Sequence, residues 1–262
     1  MPNYNVAVYE YPTFTQTRIY SKPIKILSDV EKAHLLEQKK EKKEYSEFQI
    51  LYKNSDEYKE HKFNVSCHRS KDNLYNIINS NKWEYFITLT FDQKKIDSSD
   101  YDIVYKKLNT FLKNFKYRNS SHLQYVIVPE LHADKKHYHF HGLLANCDEL
   151  HFEDSGHKTQ LDEVIYNITN WTYGFTTATK VRDNDRVCSY IAKYISKDNL
   201  LQIPNRNRYL ASRGLNRVKP KKLNLNINDY QKKIIKNNNV SYVRTAYCKQ
   251  AHRKIKYLKF DK

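Results

Sequence analysis

Three histidines and two tyrosines carry the reactive chemistry legible in this chain. His137, His139 and His141 alternate with Tyr138 and Phe140. Alternate residues of an extended strand leave the same face. The three imidazoles therefore share one side, and the two rings point the other way, into a core. Neutral imidazole is the commonest protein metal ligand, and two at i and i+2 can bind one cation. A carboxylate on the neighbouring strand would complete the set, and Glu130 lies just before the hairpin that joins the two strands. An ion held this way suits phosphate chemistry, because it can polarise a non-bridging oxygen and offset charge in the transition state. The spacing leaves open whether His139 pairs with His137 or with His141. A structural zinc site fits less well, since such sites usually take four protein ligands, often thiolates. The nearest thiol, Cys147, lies beyond the strand with no second cysteine beside it.

The second constellation is Tyr190-Ile191-Ala192-Lys193-Tyr194-Ile195-Ser196-Lys197. At about 100° per residue, Tyr190, Tyr194, Lys193 and Lys197 share an arc of roughly 100° on a helix. Val187, Ile191 and Ile195 fall beside that arc and give the helix an apolar side to bury. A phenol is a poor nucleophile at its reference pKa of about 10. Adjacent positive charge and a metal-held phosphate favour its ionised form.

Strands and helices must bring these two groups together. Tyr85–Phe91 is dense in β-branched and aromatic residues and reads as a central strand. Ile103, Val104, Leu108, Phe111, Leu112 and Phe115 recur at three- and four-residue spacing and predict an amphipathic helix. Further strands are expected at Tyr125–Val128, His137–Leu144 and Gly174–Val181, with helices at Leu161–Trp171 and at Asn184–Lys197, the latter capped by Asn184. Such alternation predicts an α+β domain: a central antiparallel sheet of about five strands with helices packed on one face. That domain is expected over 62–200. An N-terminal extension of short strands and a charged helix precedes it over 1–61, and a basic segment follows over 201–262, opening as loop around Pro204, Gly214 and Pro220.

The chain has 262 residues and a formal charge of +17. From residue 201 onward, 17 Lys/Arg stand against two Asp, so most of the excess lies there. A field of that sign favours polyanions, and the 23 tyrosines offer stacking platforms for unpaired bases. Most of the tyrosine count is compositional, given the abundance of Lys, Asn and Ile. No run of 18 apolar residues exists, and Met1-Pro2-Asn3-Tyr4-Asn5 does not open a secretory signal. With four dispersed cysteines read as reduced thiols, the expectation is a cytoplasmic protein with no membrane partner.

Three motifs, in this order, resemble those of the HUH endonucleases, and specifically the rolling-circle replication initiators of small single-stranded DNA phages and plasmids. Phe86-Ile87-Thr88-Leu89-Thr90-Phe91 looks like the first motif. His139-Phe140-His141-Gly142-Leu143-Leu144 looks like the second, which favours the later histidine pair. The Tyr190–Lys197 segment resembles the two-tyrosine third motif of gene-A-type phage initiators, and Tyr209–Leu215 is similar to a stretch that often follows it. The resemblance spans about residues 75–200. It implies that His139, His141 and Glu130 hold Mg²⁺ or Mn²⁺. Tyr190 or Tyr194 would form a 5′-phosphotyrosyl link and leave a free 3′-OH, with Lys193 and Lys197 assisting by charge. Thr88, Thr90, Arg213 and Arg217 would contact DNA. The implied substrate is single-stranded or hairpin origin DNA, nicked and later rejoined. Because no G-x-x-x-x-G-K-[ST] motif occurs, a host helicase would act alongside a host polymerase. Two other readings share these residues: a two-tyrosine HUH transposase, and a catalytically silent single-stranded DNA-binding protein.

Overall fold

A computed structural model describes residues 3–40, 47–119, 122–195, 207–237, 239–248 and 252–262. The chain forms two compact units, one of residues 1–59 and 218–262, the other of residues 60–217.

The second unit holds the histidines and tyrosines. Its seven-stranded antiparallel sheet comprises β3 (Tyr85–Phe91), β4 (Gln124–Leu131), β5 (Tyr138–Ala145), β6 (Phe152–Lys158), β7 (Val164–Ile168), β8 (Gly174–Lys180) and β9 (Leu210–Ala211), in the order β6-β7-β8-β3-β5-β4-β9. The fold is α+β, as expected. Helices cover both faces, however, where the sequence pointed to one. Helix α4 (Tyr101–Arg118) lays Val104, Leu108, Leu112 and Phe115 against Ile87, Leu89, Ile127, Phe140 and Leu144. Its first turn is held by Asp100, whose carboxylate accepts from the Asp102 and Ile103 amides at 2.8 and 3.3 Å. On the opposite face, α3 (Asp56–Ser80) and α5 (Asn184–Tyr194) bury Leu74, Ile77, Ile78, Ile191 and Ile195 with Val126, Val128 and Leu143. The alternation of β4 and β5 is apolar on both faces, as a sheet between helix layers requires.

The close pairing of β4 and β5 depends on Gly142. A Cβ there would stand 2.7 Å from the Val126 carbonyl oxygen and 2.8 Å from an Ile127 side-chain carbon.

Two further expectations are corrected. Leu161–Trp171 is not helical: Asp162 turns with φ +61°, and Val164–Ile168 forms β7 against β6 and β8. Its Val-Ile-Tyr-Asn-Ile run is β-branched and aromatic, and that preference prevails over the helical spacing. Helix α5 is capped one residue earlier than expected, by Asp183, whose carboxylate and carbonyl accept from the Arg186 and Val187 amides. Asn184 instead donates its side-chain amide to the Asn81 carbonyl at 3.0 Å, tying α5 to the end of α3. Lys197 and the loop around Pro204 lie outside the described residues.

The first unit draws on both ends of the chain. Strands β1 (Asn3–Glu10), β2 (Phe14–Lys25), β10 (Lys221–Leu223), β11 (Val240–Cys248) and β12 (Arg253–Asp261) form an antiparallel sheet in the order β10-β1-β2-β12-β11. Helix α6 (Ile227–Asn237) packs Ile227, Tyr230 and Ile234 on Val6, Ile19, Leu258 and Phe260. Helices α1 (Asp29–Lys40) and α2 (Glu47–Asn54) also belong to this unit. The basic segment read from sequence as a tail thus contains strands that pair with the N-terminal hairpin. No helix among the described residues is long and apolar enough to cross a membrane.

Candidate metal centre and tyrosine helix

Register assembles the site. Glu130 of β4 lies opposite His139 of β5, and Thr90 and Thr88 of β3 lie opposite His139 and His141. Directly opposed residues share a face, so the carboxylate, two imidazoles and two hydroxyls converge on one patch. Glu130 Oε2 stands 2.6 Å from His139 Nε2 and 2.6 Å from His141 Nε2, and the two nitrogens are 3.0 Å apart. Neighbouring ligands of an octahedral ion with bonds of about 2.1 Å are separated by about 3 Å. The two nitrogens already match that separation, and a slight outward shift of the carboxylate completes it. These three residues are the ones among those described that form a group able to hold a metal ion.

His137 takes no part. The hairpin turns on Lys135, at φ +55°, and Asp134 accepts from the Lys136 and His137 amides. The same carboxylate holds His137 Nδ1 at 2.6 Å. His137 precedes the regular strand and is engaged in the turn, so the group able to hold a metal ion consists of the later pair with Glu130.

The environment favours ligand-ready forms. Burial pushes the Glu130 carboxyl up, but hydrogen bonds and charge from His139 and His141 outweigh it and bring the group down to about 2. Burial lowers His141, and together with the His139 charge it outweighs the raising effect of Glu130, so the imidazole favours its neutral form. Thr88 Oγ1 lies 3.0 Å from His141 Nδ1. With a metal ion on Nε2, Nδ1 would carry the proton and donate it to Thr88, which would set the ring's orientation. Thr88 thus has a contact inside the site that its motif alone did not reveal. The signal was present in its alternation with Thr90 on the strand read as central.

An aromatic wall flanks the ligands. The Tyr194 ring stacks on His141 with centroids 4.2 Å apart and planes within 9°, and Phe86 lies on it at 5.9 Å. Tyr190 meets Phe86, His141 and Tyr194 edge-on at 5.4, 6.3 and 5.2 Å. The two phenols differ sharply in access: Tyr190 is 44% exposed and Tyr194 is 7% exposed. The helical arc explains the difference. Tyr194 lies on the side of Ile191 and Ile195, both fully buried, whereas Tyr190 lies one step outward. Burial raises the Tyr194 phenol well above its ordinary range, aided by a hydrogen bond with Tyr190 and the Glu130 charge. Lys193 sets its ammonium 5.6 Å from the Tyr190 ring centroid. Arg213 and Arg217 are exposed after β9, and among the described residues no contact joins them to the triad.

Residues 84–199 match the family model described as replication-associated protein ORF2/G2P. The match covers less than half of the chain but includes the triad and both tyrosines. No curated protein and no solved structure matches the chain. Part of this chain is therefore a Rep-like, HUH-like domain whose His-His-Glu triad is suited to binding a metal ion.

Proposed function

We propose that this protein nicks and rejoins single-stranded origin DNA in rolling-circle replication, with Tyr190 as the nucleophile first presented to the substrate. The observation that carries the reading is the meeting of three ligand atoms with two tyrosine rings on one imidazole, His141. The Glu130 oxygen, with room for substrate phosphate oxygens, suits the Mg²⁺ or Mn²⁺ that the family resemblance implies, and the two imidazoles favour Mn²⁺ of the pair. A bound ion would polarise the scissile phosphate and offset its charge. The exposed Tyr190 hydroxyl supplies the attacking oxygen. A bond forms from it to phosphorus, the bond from phosphorus to the 3′ oxygen breaks, and the phenol proton is released as the leaving oxygen takes one up. The products are a 5′-phosphotyrosyl ester and a 3′-OH that a polymerase can extend. The ester conserves the bond, so a 3′-OH attacking it restores the phosphodiester. Lys193 adds positive charge where the phosphate must lie. Tyr194 serves a second transfer once it is released from His141.

The test is incubation of the purified chain with origin-containing single-stranded DNA and Mn²⁺, followed by denaturing electrophoresis. A covalent protein–DNA species is expected from the unaltered chain and from Tyr194→Phe, and a first-turnover yield reduced by at least about 100-fold from Tyr190→Phe. Binding without any adduct would favour a silent DNA-binding protein and sink the proposal.

A further inference from the structure

The sheet of the first unit has two unlike faces. One carries Val6, Ile19, Leu258 and Phe260 under α6. The other bears aromatic and basic side chains in register. Lys222, Ala7, Arg18, Tyr257 and Arg244 form one row across all five strands, and Tyr9, Gln16, Lys259 and Tyr242 form the next. At about 4.8 Å per strand, the first row spans about 19 Å. Arg18 places its guanidinium 4.6 Å from the Tyr9 ring centre and 5.5 Å from that of Tyr257, and Gln16 accepts from its Nε at 2.9 Å. Lys222 stands over Tyr4 at 5.1 Å. On the edge strand β11, Arg244 is exposed and Tyr242 is 51% exposed. Among the described residues of this face, Asp261 is the one acid, 3.6 Å from Lys259, against Arg18, Lys222, Arg244, Arg253 and Lys259.

Ala7 and Gln16 in the middle of the face are buried. The cation–π contacts each contribute modest stability where exposed, which accounts for the pairing of rings with cations but not for the excess of positive charge over the single acid. Aromatic faces interleaved with positive charge are what an unpaired nucleic-acid strand requires: π surfaces for its bases and cations for its phosphates. We propose that this face binds single-stranded DNA, stacking bases on Tyr242, Tyr257 and Tyr9 and receiving phosphates at Arg244, Arg18 and Lys222. It is a second DNA contact, built by the two ends of the chain and independent of the metal ligands. The choice of DNA over RNA rests on the function proposed above; the recognition of a single strand does not.

The experiment measures fluorescence anisotropy of a labelled 20-nucleotide oligothymidylate with the full-length chain in EDTA, where no cleavage can proceed. Tyr242→Ala/Arg244→Ala should weaken binding at least about tenfold, from loss of one stacking and one phosphate contact. Arg244→Glu keeps a polar side chain at the same exposed position and should weaken binding at least as much. Lys232→Ala, which removes a charge from α6 on the other face, should change affinity less than about threefold. Equal losses from the α6 and sheet variants would overturn the proposal, because bulk charge would then explain binding. Unchanged affinity in both sheet variants would also overturn it, even if adducts still form at the tyrosines. Conversely, loss of adduct formation with oligothymidylate binding intact would sink the nicking reaction and leave this face standing. Tighter binding of oligouridylate by tenfold or more would overturn the assignment to DNA.

Discussion

Thr88 shows how much of this site depends on one hydroxyl next to a ligand. His141 is almost buried, and its Nε2 faces Glu130 Oε2 and His139 Nε2, so its Nδ1 must find a partner within the protein. Thr88 Oγ1 at 3.0 Å is that partner. Removing the hydroxyl without changing shape leaves a buried imidazole N–H unpaired and lets the ring rotate. Thr88→Val should therefore weaken Mn²⁺ binding about 10- to 100-fold, the usual effect of losing a group that orients a ligand. Thr88→Ser should retain most of the affinity. Calorimetric titration of the three proteins reads both, and equal affinity for Thr88→Val would remove Thr88 from the site. Alternation made the histidine face readable in the sequence, because every second residue shares a side whatever the fold. It could not choose between His137 and His141, since that choice turns on where the strand begins. Asp134 decides it by capping the hairpin and drawing His137 into the turn.

At the scale of elements, the site depends on helix α5 being held at a set position over β4 and β5. Asn81 does much of the holding. Its side-chain amide donates to the Ile77 and Asn216 carbonyls at 2.7 and 3.0 Å, its side-chain oxygen accepts from the Asn216 amide at 3.0 Å, and its carbonyl accepts from Asn184. It is nearly buried, so replacement strands the Asn216 groups without water. Asn81→Leu should cost about 1–3 kcal/mol, seen as a lower midpoint in urea, while the backbone link to Asn184 remains. Gly142→Ala should destabilise by a similar amount, about 1–3 kcal/mol, because the added methyl meets the Val126 carbonyl. Strands β3, β4, β5 and β8 and helices α4 and α5 were legible from periodicity and residue type. Strand β7 was not, because Leu161–Trp171 carries apolar residues at spacings that suit either element. Strands β11 and β12 were hidden more deeply. Among the core-forming residues of β12, Leu258 and Phe260 alternate, but Lys254 and Lys256 continue that face, and the partner strand β2 lies more than 200 residues earlier. Nothing local to Arg253–Asp261 encodes such a pairing.

At the scale of the whole molecule, the two compact units divide the chemistry. The triad belongs to residues 60–217, while the sheet joining the two chain ends belongs to the other unit. A ligand that binds only the native triad stabilises the elements that carry it by mass action. At a free Mn²⁺ concentration of 100 times Kd, the gain is about 2.7 kcal/mol, equivalent to about 100-fold slower exchange for amides that open only when the site is lost. Hydrogen exchange followed by mass spectrometry should show this slowing in peptides covering β4 and β5, where Glu130, His139 and His141 lie. Peptides from β1, β2 and β12 should exchange at the same rate with and without metal, since those strands contribute no ligand. Glu130→Gln removes the charged oxygen between the two imidazoles and should abolish the effect in β4 and β5. Uniform slowing across both units would mean that the metal acts somewhere other than the triad. A change confined to β11 and β12 would place it among the residues of the basic sheet instead.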